Sequence, residues 1–122
     1  FIQYTHARIK SILRKADEQG IIHSASEIDN SLEPSSKEVR LIKLINTYPS
    51  RVAEAGQALA ASIIANYAYE LAKEFNQYYH DTIILREENN KVRAFRLCLI
   101  EVLASVLVKA MGILGIELPE RM

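Results

Sequence analysis

Tyr4, Arg8, Ser11 and Lys15 are the residues of this chain best suited to touch a polyanion. They recur at i, i+4, i+7 and i+11, so a helix sets them on one stripe. Arginine can grip phosphate or a base edge through two parallel bonds. Tyrosine can stack on a splayed base, and a serine hydroxyl can hydrogen-bond. The same pattern also describes an ordinary solvated face with a tyrosine lying along it. Periodicity by itself leaves both readings open.

Other chemistry has less support. His6, His23 and His80 share no metal-ligand spacing with one another or with the single cysteine, Cys98. There is no phosphate-cradling Gly-Lys-Ser/Thr loop. Gly112 and Gly115 form a GxxG, but Met111, Ile113 and Leu114 surround it, which suits a helix end better than a nucleotide clamp. No catalytic constellation is visible. Cys98 sits among Leu97, Leu99 and Ile100 and reads as a small buried hydrophobe. One cysteine allows no internal disulfide and favours a reducing compartment.

The chain has 122 residues, enough for one domain with one core. Its formal net charge is zero, which excludes a general basic field. Arg8, Lys10, Arg14 and Lys15 nevertheless precede the first acid, Asp17, so a local basic stripe is possible. Leu97 to Leu114 comes nearest to a membrane span, but Glu101, Ser105 and Lys109 interrupt it. The chain starts inside a helical pattern at Phe1, as a piece of a longer protein would.

The elements that must position the stripe are all helical. Prolines occur only at 34, 49 and 119, and hairpin signals such as Asn-Gly are absent. The first helix is expected from about Ile2 to Gln19, with Ile2, Ile9, Leu13 and Ala16 on its packing side, His6 and Ile12 at the edges, and Gly20 after its end. Residues 21–35 read as a loop and the best place for mobility. Ser35 and Glu38 have capping-box spacing for a second helix, which Tyr48-Pro49 stops. A third covers about Pro49 to Leu59.

A fourth helix, about Ser62 to His80, carries a core stripe of Ile64, Tyr67, Leu71, Phe75 and Tyr78, leaving Tyr69 and Tyr79 freer. A connection holding Ile83-Ile84-Leu85 leads to a long fifth helix, about Asn90 to Leu114. Phe95, Leu99, Val102, Val106, Ala110 and Ile113 form one apolar face of it, and Ile100, Leu103 and Leu107 another. The last long helix is therefore expected at the centre of a single all-α bundle of about five helices. Arg93 and Arg96 are expected to pair with Glu87, Glu88 or Glu101 rather than reach a ligand. Ile116, Leu118 and Pro119 suggest a tail partly docked on the bundle.

Several segments together resemble a known family. Tyr4-x-His6-Ala7-Arg8-Ile9-x-Ser11-Ile12 resembles the helix that opens the C-terminal anticodon-binding domain of arginyl-tRNA synthetases. Tyr67-x-x-Glu70-Leu71-Ala72-x-x-Phe75-x-x-Tyr78-Tyr79 resembles its fourth helix. Arg96-Leu97-x-Leu99 resembles the helix that gives the DALR domain its name. Leu114-Gly115-Ile116-x-x-Pro119-Glu120-Arg121-Met122 resembles the family's terminal signature. Residues 93–96 read Arg-Ala-Phe-Arg, so the acid and leucine of the naming motif are missing. Thr5 stands where alanine is commoner.

The resemblance implies a DALR-type bundle over 1–122, cut from a class I arginine–tRNA ligase of the cytoplasm. The whole enzyme would use ATP and Mg; the fragment would carry no cofactor and no activity. Its implied partners are the anticodon loop of tRNA(Arg) and the catalytic domain of the same chain, with neither membrane nor DNA. Tyr4 and Arg8 match the family's anticodon-contacting pair, and Met122 its terminal residue beside the loop. Ser11 and Lys15 join them from the wheel alone. The alternatives are a docking bundle without RNA contact, using the Tyr69 and Tyr79 face, and the anticodon domain of another DALR-type synthetase.

Overall fold

The computed structural model describes residues 1–21, 23 and 32–122. Among these the elements are α1 (Ile2–Glu18), α2 (Ser36–Asn46), α3 (Tyr48–Ala58), α4 (Ala61–Asp81), a 3-10 turn (Ile84–Arg86) and α5 (Asn90–Ile113), with no strand. Most of the expected loop over 21–35, and its expected mobility, lies outside the described residues.

The helix ends follow their sequence signals. Ser35 caps α2 through a reciprocal pair: the Glu38 amide donates to Ser35 Oγ at 3.2 Å, and the Ser35 amide donates to Glu38 Oε1 at 2.8 Å. Gly20 and Gly115 adopt φ +70° and +76° after α1 and α5. In each case the next residue's amide returns to the last turn, Ile21 to the Ala16 carbonyl at 2.9 Å and Ile116 to the Met111 carbonyl at 3.0 Å. The GxxG is therefore a helix stop. α3 ends with the same bonding pattern, yet Leu59 occupies the left-handed position at φ +52° with 93% of its surface exposed.

The core stripe of α4 is buried as the period predicts: Ile64, Tyr67, Leu71, Phe75 and Tyr78 are all enclosed. Each large apolar side chain so buried contributes about 1.5–3 kcal/mol. α4 packs against each of the other four helices, and α5 packs closely on α1, α2 and α4. The two long helices thus share the centre. Of the two apolar faces expected on α5, that of Ile100, Leu103 and Leu107 is fully buried, whereas the other is only partly covered, because Val102 and Ile113 lie half exposed while Leu99, Val106 and Ala110 are buried. Cys98 is half-buried, and burial, with Glu101 nearby, pushes its thiol upward and disfavours the reactive thiolate.

One polar junction ties these helices. Glu38 is only 3% exposed although it carries a charge. Its Oε2 accepts from the Tyr78 hydroxyl at 2.6 Å and from Arg96 Nε at 3.0 Å. Arg96 also reaches Glu87 Oε2 at 3.1 Å. Arg93 donates to the Asn90 side chain at 2.9 Å. Both arginines therefore serve the fold: Arg96 meets one expected acid, Glu87, and Glu38, which was not foreseen. Burial raises the Glu38 carboxyl, but the bonds from Tyr78, the Ser35 amide and Arg96 outweigh it and hold the group below its ordinary 4.5. Burial and the facing carboxylate push the Tyr78 hydroxyl far upward, so it remains a donor.

Two stability measurements follow. Leu59→Gly removes a left-handed side-chain conflict and is expected to raise unfolding free energy by about 1 kcal/mol in denaturant titration. Glu38→Ala is expected to lower it by about 3 kcal/mol, since Arg96 loses a buried partner. The contribution of Glu38 is complete above pH 4.5 and is lost as pH falls through its lowered folded value. Stability measured from pH 7 down to 3 should drop in that window, less steeply for the variant.

Candidate nucleic-acid interface

The outward stripe of α1 forms one wall of a groove of about 530 Å³. Tyr4, Arg8, Ser11 and Lys15 all line it, joined by Arg14. Tyr79, near the C-terminal end of α4, lines it as well, and Arg121 and Met122 of the tail complete it. All five residues proposed from sequence thus border one cavity.

The tail is held there by its backbone. His6 is 2% exposed and its Nδ1 lies 2.7 Å from the Pro119 carbonyl. That oxygen can only accept, so Nδ1 carries the proton. Arg14 Nη1 donates to the Glu120 carbonyl at 3.0 Å. Leu118 packs against the hydrophobic core just before these contacts. The tail therefore folds back beside α1 and leaves Met122 at the groove, 76% exposed.

Arg8 is the most constrained side chain of the site. Its guanidinium lies 5.0 Å from the Tyr4 ring centre and 4.9 Å from that of Tyr79. Cation–π attraction to both rings is worth about 0.5–1 kcal/mol per contact at a partly exposed site. Its Nη1 donates to Asn76 Oδ1 at 2.5 Å, and Nη2 lies 3.4 Å from the Tyr4 hydroxyl. Tyr4 remains 52% exposed and Tyr79 36%, so both keep ring surface free for a stacking partner.

The electrostatics of the groove differ from those of the chain. Arg8, Arg14, Lys15 and Arg121 line it and no carboxylate side chain does. Among the described residues none of these four is in an ion pair. A neutral chain thus presents a cavity whose charged side chains are of one sign. No group of acids, histidines or cysteine suited to a metal occurs among the described residues. Among them no helix is long and apolar enough to cross a membrane.

Sequence reasoning did not place Tyr79, Arg14, Arg121 or Asn76 here. Tyr79 falls off the core stripe of α4, which marks it as free but not as facing α1. Tyr69 does not join it in one docking face. Its ring packs on Phe1 at 5.4 Å between centres, while Tyr79 stacks on Phe75 and faces the groove. A free tyrosine one residue past a core stripe was the available signal; its destination depends on how α1 and α4 cross.

The comparisons with known proteins converge. Residues 2–122 match the DALR anticodon binding domain family. The chain is 53% identical, over all its 122 residues, to an arginine–tRNA ligase of Phocaeicola vulgatus, and 52% identical to one of Bacteroides thetaiotaomicron. It spans 20% of the length of each. Its structure is similar to that of Thermus thermophilus arginyl-tRNA synthetase, with a TM-score of 0.86 at 31% identity, covering 99% of this chain and 20% of that one. A putative arginyl-tRNA synthetase from Campylobacter jejuni gives 0.81 at 25% identity, covering 99% and 26%. With residues 2–122 matched by the family model and the relatives aligned over the whole chain, the chain belongs to the DALR anticodon-binding domain family, in the form carried by arginyl-tRNA synthetases.

Proposed function

We propose that this domain binds the anticodon loop of tRNA(Arg) in the groove between α1, Tyr79 and the tail, as part of an arginine–tRNA ligase of the cytoplasm. The observation that carries this is the Arg8 guanidinium set between two tyrosine rings in a cavity whose charged side chains are all cations. Proteins read RNA sequence on unstacked loop bases, by aromatic stacking and by hydrogen bonds to base edges. Tyr4 and Tyr79 supply the stacking surfaces. Arg8 has N–H groups left to reach a base edge. Lys15, Arg14 and Arg121 neutralise phosphates, Ser11 offers its hydroxyl, and Met122 adds an apolar contact.

Activation of arginine with ATP and Mg, and its transfer to tRNA, belong on this reading to the parent enzyme's catalytic domain. The present domain supplies orientation. Binding energy is shared between the two, so the isolated contacts need only be weak. The docking alternative required Tyr4, Arg8 and Lys15 to be buried or paired with acids. Tyr4 and Lys15 are exposed, and none of the three has an acidic partner among the described residues.

The test uses the full-length protein and an arginine anticodon stem-loop RNA, with a second RNA altered at the central anticodon base. The altered RNA should bind more weakly, and Arg8→Ala should cost about 1–3 kcal/mol on the cognate one. Equal affinity for the two RNAs would defeat base reading. The slope of log affinity against log salt should be about −2 with Lys15, Arg14 and Arg121 meeting phosphates. Lys15→Ala should make it shallower by about 0.7 and weaken both RNAs alike.

A further inference from the structure

We infer that Asn76, assisted by Thr5, is a positioning residue that fixes the Arg8 guanidinium for base reading; the inference rests on the RNA-binding role proposed above. Asn76 does not line the groove. It stands behind Arg8, on α4, one turn before Tyr79.

The hydrogen bonds of Asn76 leave its carboxamide one orientation. Its Nδ2 lies 2.9 Å from the Ala72 carbonyl, which can only accept. That atom must therefore be the amide nitrogen, and its second proton goes to Thr5 Oγ1 at 2.8 Å. Thr5 is fully buried, and its own hydroxyl proton goes to the Phe1 carbonyl at 3.0 Å. Both donors of Asn76 are thus occupied, and Oδ1 is turned toward Arg8 Nη1 at 2.5 Å. The donor sense runs without a break from Asn76 through Thr5 to the Phe1 carbonyl, and from Arg8 into Asn76.

Two rings alone would leave the guanidinium free to rotate in its plane. The bond to Asn76 removes that freedom and chooses which edge meets the ligand. The acceptor is neutral, so Arg8 is aimed without an anion beside it to offset its charge. Thr5 adds a link that an alanine at this position could not make.

The experiment is a double-mutant cycle in the full-length protein, using the cognate and the centrally altered stem-loop RNAs. Arg8→Ala is expected to weaken cognate binding by about fivefold to a hundredfold. Asn76→Ala should lose much of the discrimination between the two RNAs and leave the salt slope unchanged, because the Arg8 charge is still present. The double variant should bind no worse than Arg8→Ala alone. Thr5→Val, which keeps the buried shape, should lower discrimination in the same direction but less; it serves as the second probe if Asn76→Ala unfolds in a thermal melt. Fully additive losses, or unchanged discrimination in both Asn76→Ala and Thr5→Val, would overturn the positioning role while leaving RNA binding in place. No effect of Arg8→Ala would overturn both.

Discussion

The buried carboxylate of Glu38 is the constraint around which the helices are arranged. A charge 3% exposed must have donors on every side, and they come from different parts of the chain. The Ser35 amide starts α2, the Tyr78 hydroxyl comes from the end of α4, and Arg96 comes from α5 and carries Glu87 with it. Satisfying one group therefore fixes where three helices meet. Tyr78 precedes Tyr79, so the same junction sets the end of α4 from which Tyr79 and Asn76 face α1. A structural ion cluster and a ligand groove use different faces of one helical turn.

Those two regions divide the arginines by partner. Arg96 is matched with acids and serves packing. Arg8 is held by rings and an amide, which orient a cation without neutralising it. This division lets a chain of zero net charge keep a groove whose charged side chains are of one sign. Neutrality overall limits nonspecific attraction to polyanions, while the groove concentrates it where geometry can discriminate.

Much of this was legible in the sequence, and the reasons differ by residue. The Ser35–Glu38 spacing, Gly20 and Gly115 act through local backbone chemistry, so each appears in the fold where the pattern puts it. The α1 stripe is also local, and its four members do share one face. Glu38 as the partner of Arg96 was not legible, because the two are 58 positions apart and nothing nearby marks the pairing. Tyr79 and Asn76 needed the crossing of α1 and α4. The end of α3 falls at Leu59 as expected, but Leu59 breaks the preference for glycine at its φ of +52°, so no local rule signals its left-handed conformation. On α5, Val102 and Ile113 follow the helical period and yet stay exposed, since period reports which residues share a face and not whether a neighbour covers it.

The tail is held by carbonyl oxygens, those of Pro119 and Glu120, gripped by His6 and Arg14. Main-chain oxygens are nearly the same in every residue. The grip therefore measures distance along the chain and ignores the identity of the side chains at those two positions. From the Gly115 stop to the groove the tail acts as a ruler: substitutions at 119 or 120 that preserve the backbone path keep the spacing, whereas one residue more or less would bring a different side chain to the place where Met122 now sits.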